Sequence, residues 1–232
     1  MKLKKIASLA LAGIMAVSML AGCGDNDKKD PTPEQGGETV VAGFSATLAD
    51  KLGDVVDEDY ITVKDNAADI TALEKALNYI SEPTLEDLAK KTSVENLTTY
   101  IGRLDVENMV DDFMDRADFT LKDSIKESDL QMAWYAGNNG YDNRTVKDGT
   151  IYIVNGAVGE DEAVKLVAAK VKAQFEAAGA LPEHNVAGED KYDYDYVISA
   201  SVASKALDDT YVGAANSVVF VAVTVTRTAS AD

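Results

Sequence analysis

Ser217-Val218-Val219-Phe220-Val221-Ala222-Val223-Thr224-Val225-Thr226-Arg227 alternates in a way that decides the fold. In an extended chain Val219, Val221, Val223 and Val225 share one face, while Val218, Phe220 and Ala222 fill the other. β-Branched and aromatic residues suit a strand. Apolar residues on both faces place that strand inside a sheet rather than at its edge. The preceding run, Tyr192 to Ser204, is a second long strand, with Tyr192, Tyr194, Tyr196, Ile198, Ala200 and Val202 on one face. Asp193, Asp195, Ser199 and Ser201 lie opposite and predict one wet face.

Upstream, Val164, Val167, Ala168, Val171 and Phe175 recur at helical spacing between Asp161 and Ala178, with Gly179 and Pro182 as the exit. Asp148-Gly149 predicts a tight turn before a strand over Thr150 to Val154. Leu130, Met132 and Trp134 alternate as in a further strand. The first half reads differently. Tyr60 to Val63 is a short strand, and Ile70, Leu73, Leu77 and Ile80 form a helical stripe that Pro83 ends. Thr84 with Asp87 resembles a capping box, Ser93 is placed to cap a helix carrying Val94, Leu97 and Ile101, and Asp105 precedes Val106, Met109, Val110, Phe113 and Ala117. Together these predict an α+β fold: a helical N-terminal half, then a mixed, mostly antiparallel sheet of about five strands with a covering helix. Only the crossover through the helix at 161–178 has the length to join parallel neighbours.

Composition removes whole function classes. The 232 residues carry 40 Asp+Glu against 22 Lys+Arg, a formal net charge of −18. Phosphate neutralisation needs clustered Lys and Arg, so nucleic-acid binding is excluded. With one cysteine there is no intramolecular disulfide, and with one histidine, His184, a zinc site lacks ligands. No Walker loop, dinucleotide-binding glycine pattern, His-Glu-x-x-His or Gly-x-Ser-x-Gly occurs. No catalytic residue, metal site or cofactor is therefore assigned, and His184 reads as a solvated loop histidine.

The N-terminus carries the clearest functional signal. Lys2, Lys4 and Lys5 open an apolar run from Ile6 to Leu20, which ends in Leu20-Ala21-Gly22-Cys23. A basic start, a short apolar stretch and small residues before a cut describe a secretory signal peptide. The stretch is too short for a transmembrane helix, which needs about 20 apolar residues. With the only cysteine next, it resembles the lipobox of bacterial lipoproteins. That resemblance implies cleavage between Gly22 and Cys23, a thioether-linked diacylglycerol on Cys23 and attachment to a membrane by at least two acyl chains, with the outer face of the cell membrane preferred. Removing residues 1–22 takes away three lysines and no acid, moving the net charge to about −21. Residues 23–43, with Asp25, Asp27, Asp30, Pro31, Pro33, Gly36 and Gly37 and almost no apolar content, read as the lipidated cysteine and a flexible acidic tether. Residues 44–232 then form a single globular domain, with 44–118 as a candidate helical subdomain.

Two surface features invite a binding hypothesis. Trp134, Tyr135 and Tyr141 flank Gly137-Asn138-Asn139-Gly140, with Asp142, Asn143 and Arg144 next. Aromatic faces beside amides and carboxylates are what a sugar-binding surface uses, so Trp134, Tyr135, Asn138, Asn139, Tyr141 and Asp142 are the candidate ligand residues. The plainer reading is a core Trp134 beside an ordinary Asn/Gly turn, and it is preferred. Asp111, Asp112, Asp115 and Asp118, like the alternate pair Asp193 and Asp195, could bridge a cation but read more simply as solvated faces. The leading expectation is a non-catalytic cell-surface lipoprotein that binds an extracellular ligand, with a glycan or a surface protein as partner. The alternatives are a carboxylate-dependent glycan-active enzyme or carbohydrate-binding protein, and a transporter-associated solute-binding protein.

Overall fold

The computed structural model describes residues 43–120, 124–126, 143–178, 181–185, 192–208, 213 and 215–231. Among them three long strands, β3 (Val146–Asn155), β4 (Tyr192–Ala206) and β5 (Ser217–Ala231), make the body of a sheet, and two short ones, β1 (Ile61–Val63) and β2 (Glu95–Asn96), close its sides. The order is β1-β4-β5-β3-β2. As the alternation requires, β5 is central and antiparallel to both neighbours, so that Val223 faces Thr150 on one side and Ala200 on the other. β2 is antiparallel to β3, while β1 is parallel to β4. The chain is an α+β fold with a mixed, mostly antiparallel sheet. The crossover from β3 to β4 joins parallel strands, but β5 lies between them.

Among the described residues five helices pack on this sheet: α1 (Phe44–Leu52), α2 (Ala67–Ala76), α3 (Glu82–Ala89), α4 (Leu104–Arg116) and α5 (Glu160–Ala178). Leu48 and Leu52 of α1 and Val164, Val167, Val171 and Phe175 of α5 share one core with Tyr194, Tyr196, Ile198 and the odd-numbered valines of β5. Leu73, Leu85, Leu88, Val106, Val110 and Phe113 share the other with Ile151, Ile153, Phe220 and Ala222. The sheet therefore has a helical layer on each face. This corrects the wet face expected of β4, since Ser199, Ser201 and Ala203 are buried beneath the N-terminal helices. Solvent reaches that face of β4 at Asp195.

Local readings shift where tertiary contacts override pattern. Helix α3 begins before Pro83, not after it, because a proline in the first turn loses no hydrogen bond the helix would have made. Thr84 is then inside the helix, and Ser81 before it donates its hydroxyl to Asp105 Oδ2 at 2.6 Å. The helix expected after Ser93 is instead the edge strand β2 followed by a 3-10 turn, Leu97–Tyr100, whose start Asn96 caps by accepting from the Thr98 amide at 3.0 Å. Helix α1 carries no expectation from the sequence.

The largest correction is at Asp148-Gly149, which lies within β3 and not in a turn. Gly149 pairs with Thr224, and a Cβ there would stand 2.9 Å from both Phe119 Cζ and the Val223 carbonyl oxygen. The glycine admits the Phe119 ring against the strand. Asp148 is fully buried, and its Oδ1 accepts from the Gly149 amide at 2.7 Å.

Candidate functional site

Helix α1 ends at Gly53, whose φ of +59° favours glycine, and a 3-10 turn, Gly53–Val56, leads toward β1. This turn faces the C-terminal part of α5 across a cavity of about 280 Å³. Its floor is Ile61, Phe175 and Leu181, its wall includes Val55 and Tyr60, and its mouth carries Asp54, Glu58 and Glu176. The floor residues are buried and the three carboxylates are exposed.

Tyr60 connects the cavity to the segment 181–185. Its hydroxyl donates to the Leu181 carbonyl at 3.0 Å, its carbonyl accepts from the Tyr196 amide at 2.8 Å, and its ring centroid lies 6.2 Å from that of Tyr196. Burial, aided by the charges of Glu58 and Glu183, raises the Tyr60 phenol above its ordinary pKa. Tyr196 donates to the Pro182 carbonyl at 2.9 Å, and burial raises it much further. At the mouth, Lys172 Nζ lies 3.2 Å from Asp54 Oδ1 and holds that carboxyl below the usual range.

Segment 181–185 runs along the start of β4. There His184 bridges to Asp193, with Nδ1 2.6 Å from Asp193 Oδ1 and Nε2 3.4 Å from Glu183 Oε2. An imidazole held by a carboxylate is half of a general-base device. Here a second carboxylate faces the other nitrogen, and among the described residues no hydroxyl is hydrogen-bonded to the ring. The arrangement clamps a loop to a strand.

A second charged cluster, absent from the sequence expectations, is wholly internal. Asp69 of α2 is buried, with Oδ1 2.6 Å from Lys147 Nζ and Oδ2 accepting from Thr224 Oγ1 at 2.8 Å. Lys147 also donates to the Ala117 carbonyl at 2.6 Å and lies 5.5 Å from the centre of the Phe119 ring. Helical spacing assigns Ile70 to the inward stripe, but Ile70 is only half-buried and Asp69 points inward with Leu73 and Ala76. An aspartate four residues before Leu73 was the legible signal. The cluster ties α2 to β3 and β5.

The sugar-site residues Trp134, Tyr135, Asn138, Asn139, Tyr141 and Asp142 lie outside the described residues, as do Cys23 and the strand expected over 130–134. Asn143 and Arg144 stand exposed just before β3. Asp111 and Asp112 engage Lys126 at 2.7 Å and Arg116 at 2.6 Å, so that part of the acidic face is cross-linked by cations of the chain itself. Among the described residues no group of three or more His, Cys, Asp or Glu is placed to hold a metal ion, and no helix is long and apolar enough to cross a membrane. No protein-family model, curated protein or solved structure matches the chain.

Proposed function

We propose that the chain is a lipid-anchored extracytoplasmic protein that binds a ligand without transforming it. The observation that carries this reading is Leu20-Ala21-Gly22-Cys23 at the end of a basic-then-apolar leader. Nineteen residues lie between Cys23 and Gly43, where the described residues begin. A flexible chain of that composition and length has a root-mean-square reach of about 25 Å, enough to hold a domain clear of a bilayer. More than one acyl chain is needed for stable anchoring, since each buried methylene contributes about 0.8 kcal/mol.

The cavity between the 3-10 turn and α5 supplies a place for a small ligand, and His184, to which no hydroxyl is hydrogen-bonded among the described residues, gives no support to a hydrolytic reading. The test is metabolic labelling with a fatty-acid analogue, combined with membrane fractionation. Label and membrane association are expected for the wild type and lost in Cys23→Ser. Equal labelling of both would refute the reading.

A further inference from the structure

We infer that the cavity beneath Tyr60 is a binding site for a small organic cation, an ammonium group carried on a short apolar body. This deepens the proposed function and rests on its reading of the chain as a ligand binder.

The lining has two chemically distinct zones. Ile61, Phe175 and Leu181 give an apolar floor, which favours a hydrocarbon portion. Every carboxylate at the mouth is an acceptor when ionised. Tyr60 adds to them, because the single proton of its hydroxyl is already given to the Leu181 carbonyl, leaving only lone pairs. The Lys172 ammonium, at 3.2 Å, answers Asp54. Among the described residues neither Glu58 nor Glu176 forms an ion pair, so the mouth carries negative charge in excess.

A ligand that fits must therefore bring donors and positive charge to the mouth and apolar surface to the floor. Anionic and purely acceptor ligands are repelled. At about 280 Å³ the cavity lies near the lower end of small-molecule pockets, which selects a fragment-sized molecule over a peptide or oligosaccharide. The acidic surface of the whole chain concentrates cations around the mouth at low ionic strength.

The experiment titrates the purified full chain, carrying Cys23→Ser to keep it free of lipid, with hexylammonium, hexanol and hexanoate by calorimetry. Hexylammonium is expected to bind at least tenfold more tightly than hexanol, with hexanoate weakest, and to weaken as salt is raised. Glu58→Gln with Glu176→Gln, both on exposed side chains, should lower hexylammonium affinity about tenfold and leave hexanol unchanged. Equal binding of amine and alcohol, no saturable amine binding below about 10 mM, or an undiminished double variant would overturn the site. So would displacement of the amine by calcium at matched ionic strength, which would make the mouth a metal site. Loss of fatty-acid labelling in the wild type would instead strike at the anchor and leave these titrations standing.

Discussion

Replacing Asp69 with alanine should be among the most damaging single changes in the chain. The carboxylate is fully buried and meets two donors, Lys147 Nζ at 2.6 Å and Thr224 Oγ1 at 2.8 Å. Removing it strands an ammonium whose side chain is only 11% exposed, with the Ala117 carbonyl as its remaining acceptor among the described residues. Breaking such a pair by deleting one partner costs about 3–5 kcal/mol, because the other charge is left without compensation in a poor dielectric. For a domain of this size that corresponds to a fall in melting temperature of roughly 6–20 °C. Urea unfolding followed by circular dichroism gives the free energy directly. The double variant Asp69→Leu/Lys147→Met is the informative comparison, since exchanging a buried pair for apolar groups is often nearly neutral. It should recover at least half of the loss, the remainder reflecting the stranded Thr224 hydroxyl and Ala117 carbonyl. A single variant that loses less than about 1 kcal/mol, or a double variant no better than the single, would refute the clamp between α2 and the sheet.

Phe220→Ala should cost about 3–5 kcal/mol, as the ring is fully buried in the core beneath α2, α3 and α4, and an unchanged melting temperature would remove β5 from the centre of the sheet. Gly149→Ala should cost about 1–3 kcal/mol by overpacking, because Phe119 can yield but the Val223 carbonyl cannot; a neutral result in the same unfolding assay would show that β3 separates from β5 there. The raised pKa values of Tyr60 and Tyr196 mean that the folded chain keeps phenol protons that the unfolded chain releases near pH 10. Their contribution is whole below about pH 10 and is lost as pH rises from there toward the folded values. The stability difference between wild type and Tyr196→Phe should therefore shrink above pH 10, and a difference that holds constant to pH 11 would contradict the burial of that hydroxyl.

The sequence was most informative where a single physical requirement acted alone. Two-sided alternation in Ser217 to Arg227 could be satisfied only by an interior strand, and the stripe from Val164 to Phe175 only by a helix on one face of the sheet. It misled where two requirements competed. Pro83 both ends one helix and is welcome in the first turn of the next, and local pattern does not choose between them. Asp148-Gly149 has the chemistry of a turn, but Phe119 needs an uncluttered strand surface, and that need comes from thirty residues away. Asp69 was hidden because polar residues are ordinarily assigned to the wet side of a helix, and its partners Lys147 and Thr224 are distant in sequence. The cavity was illegible for the same reason. Tyr60, Phe175 and Leu181 converge only after β1, α5 and the segment before β4 have docked.

Cys23 carries the central claim, and the mass of the intact protein extracted from membranes tests it most directly. The expected polypeptide starts at Cys23, lacks residues 1–22 and is heavier than its sequence by a diacylglyceryl group with or without a third acyl chain. A polypeptide that retains Met1 to Gly22, or one cleaved elsewhere and free of lipid, would contradict it.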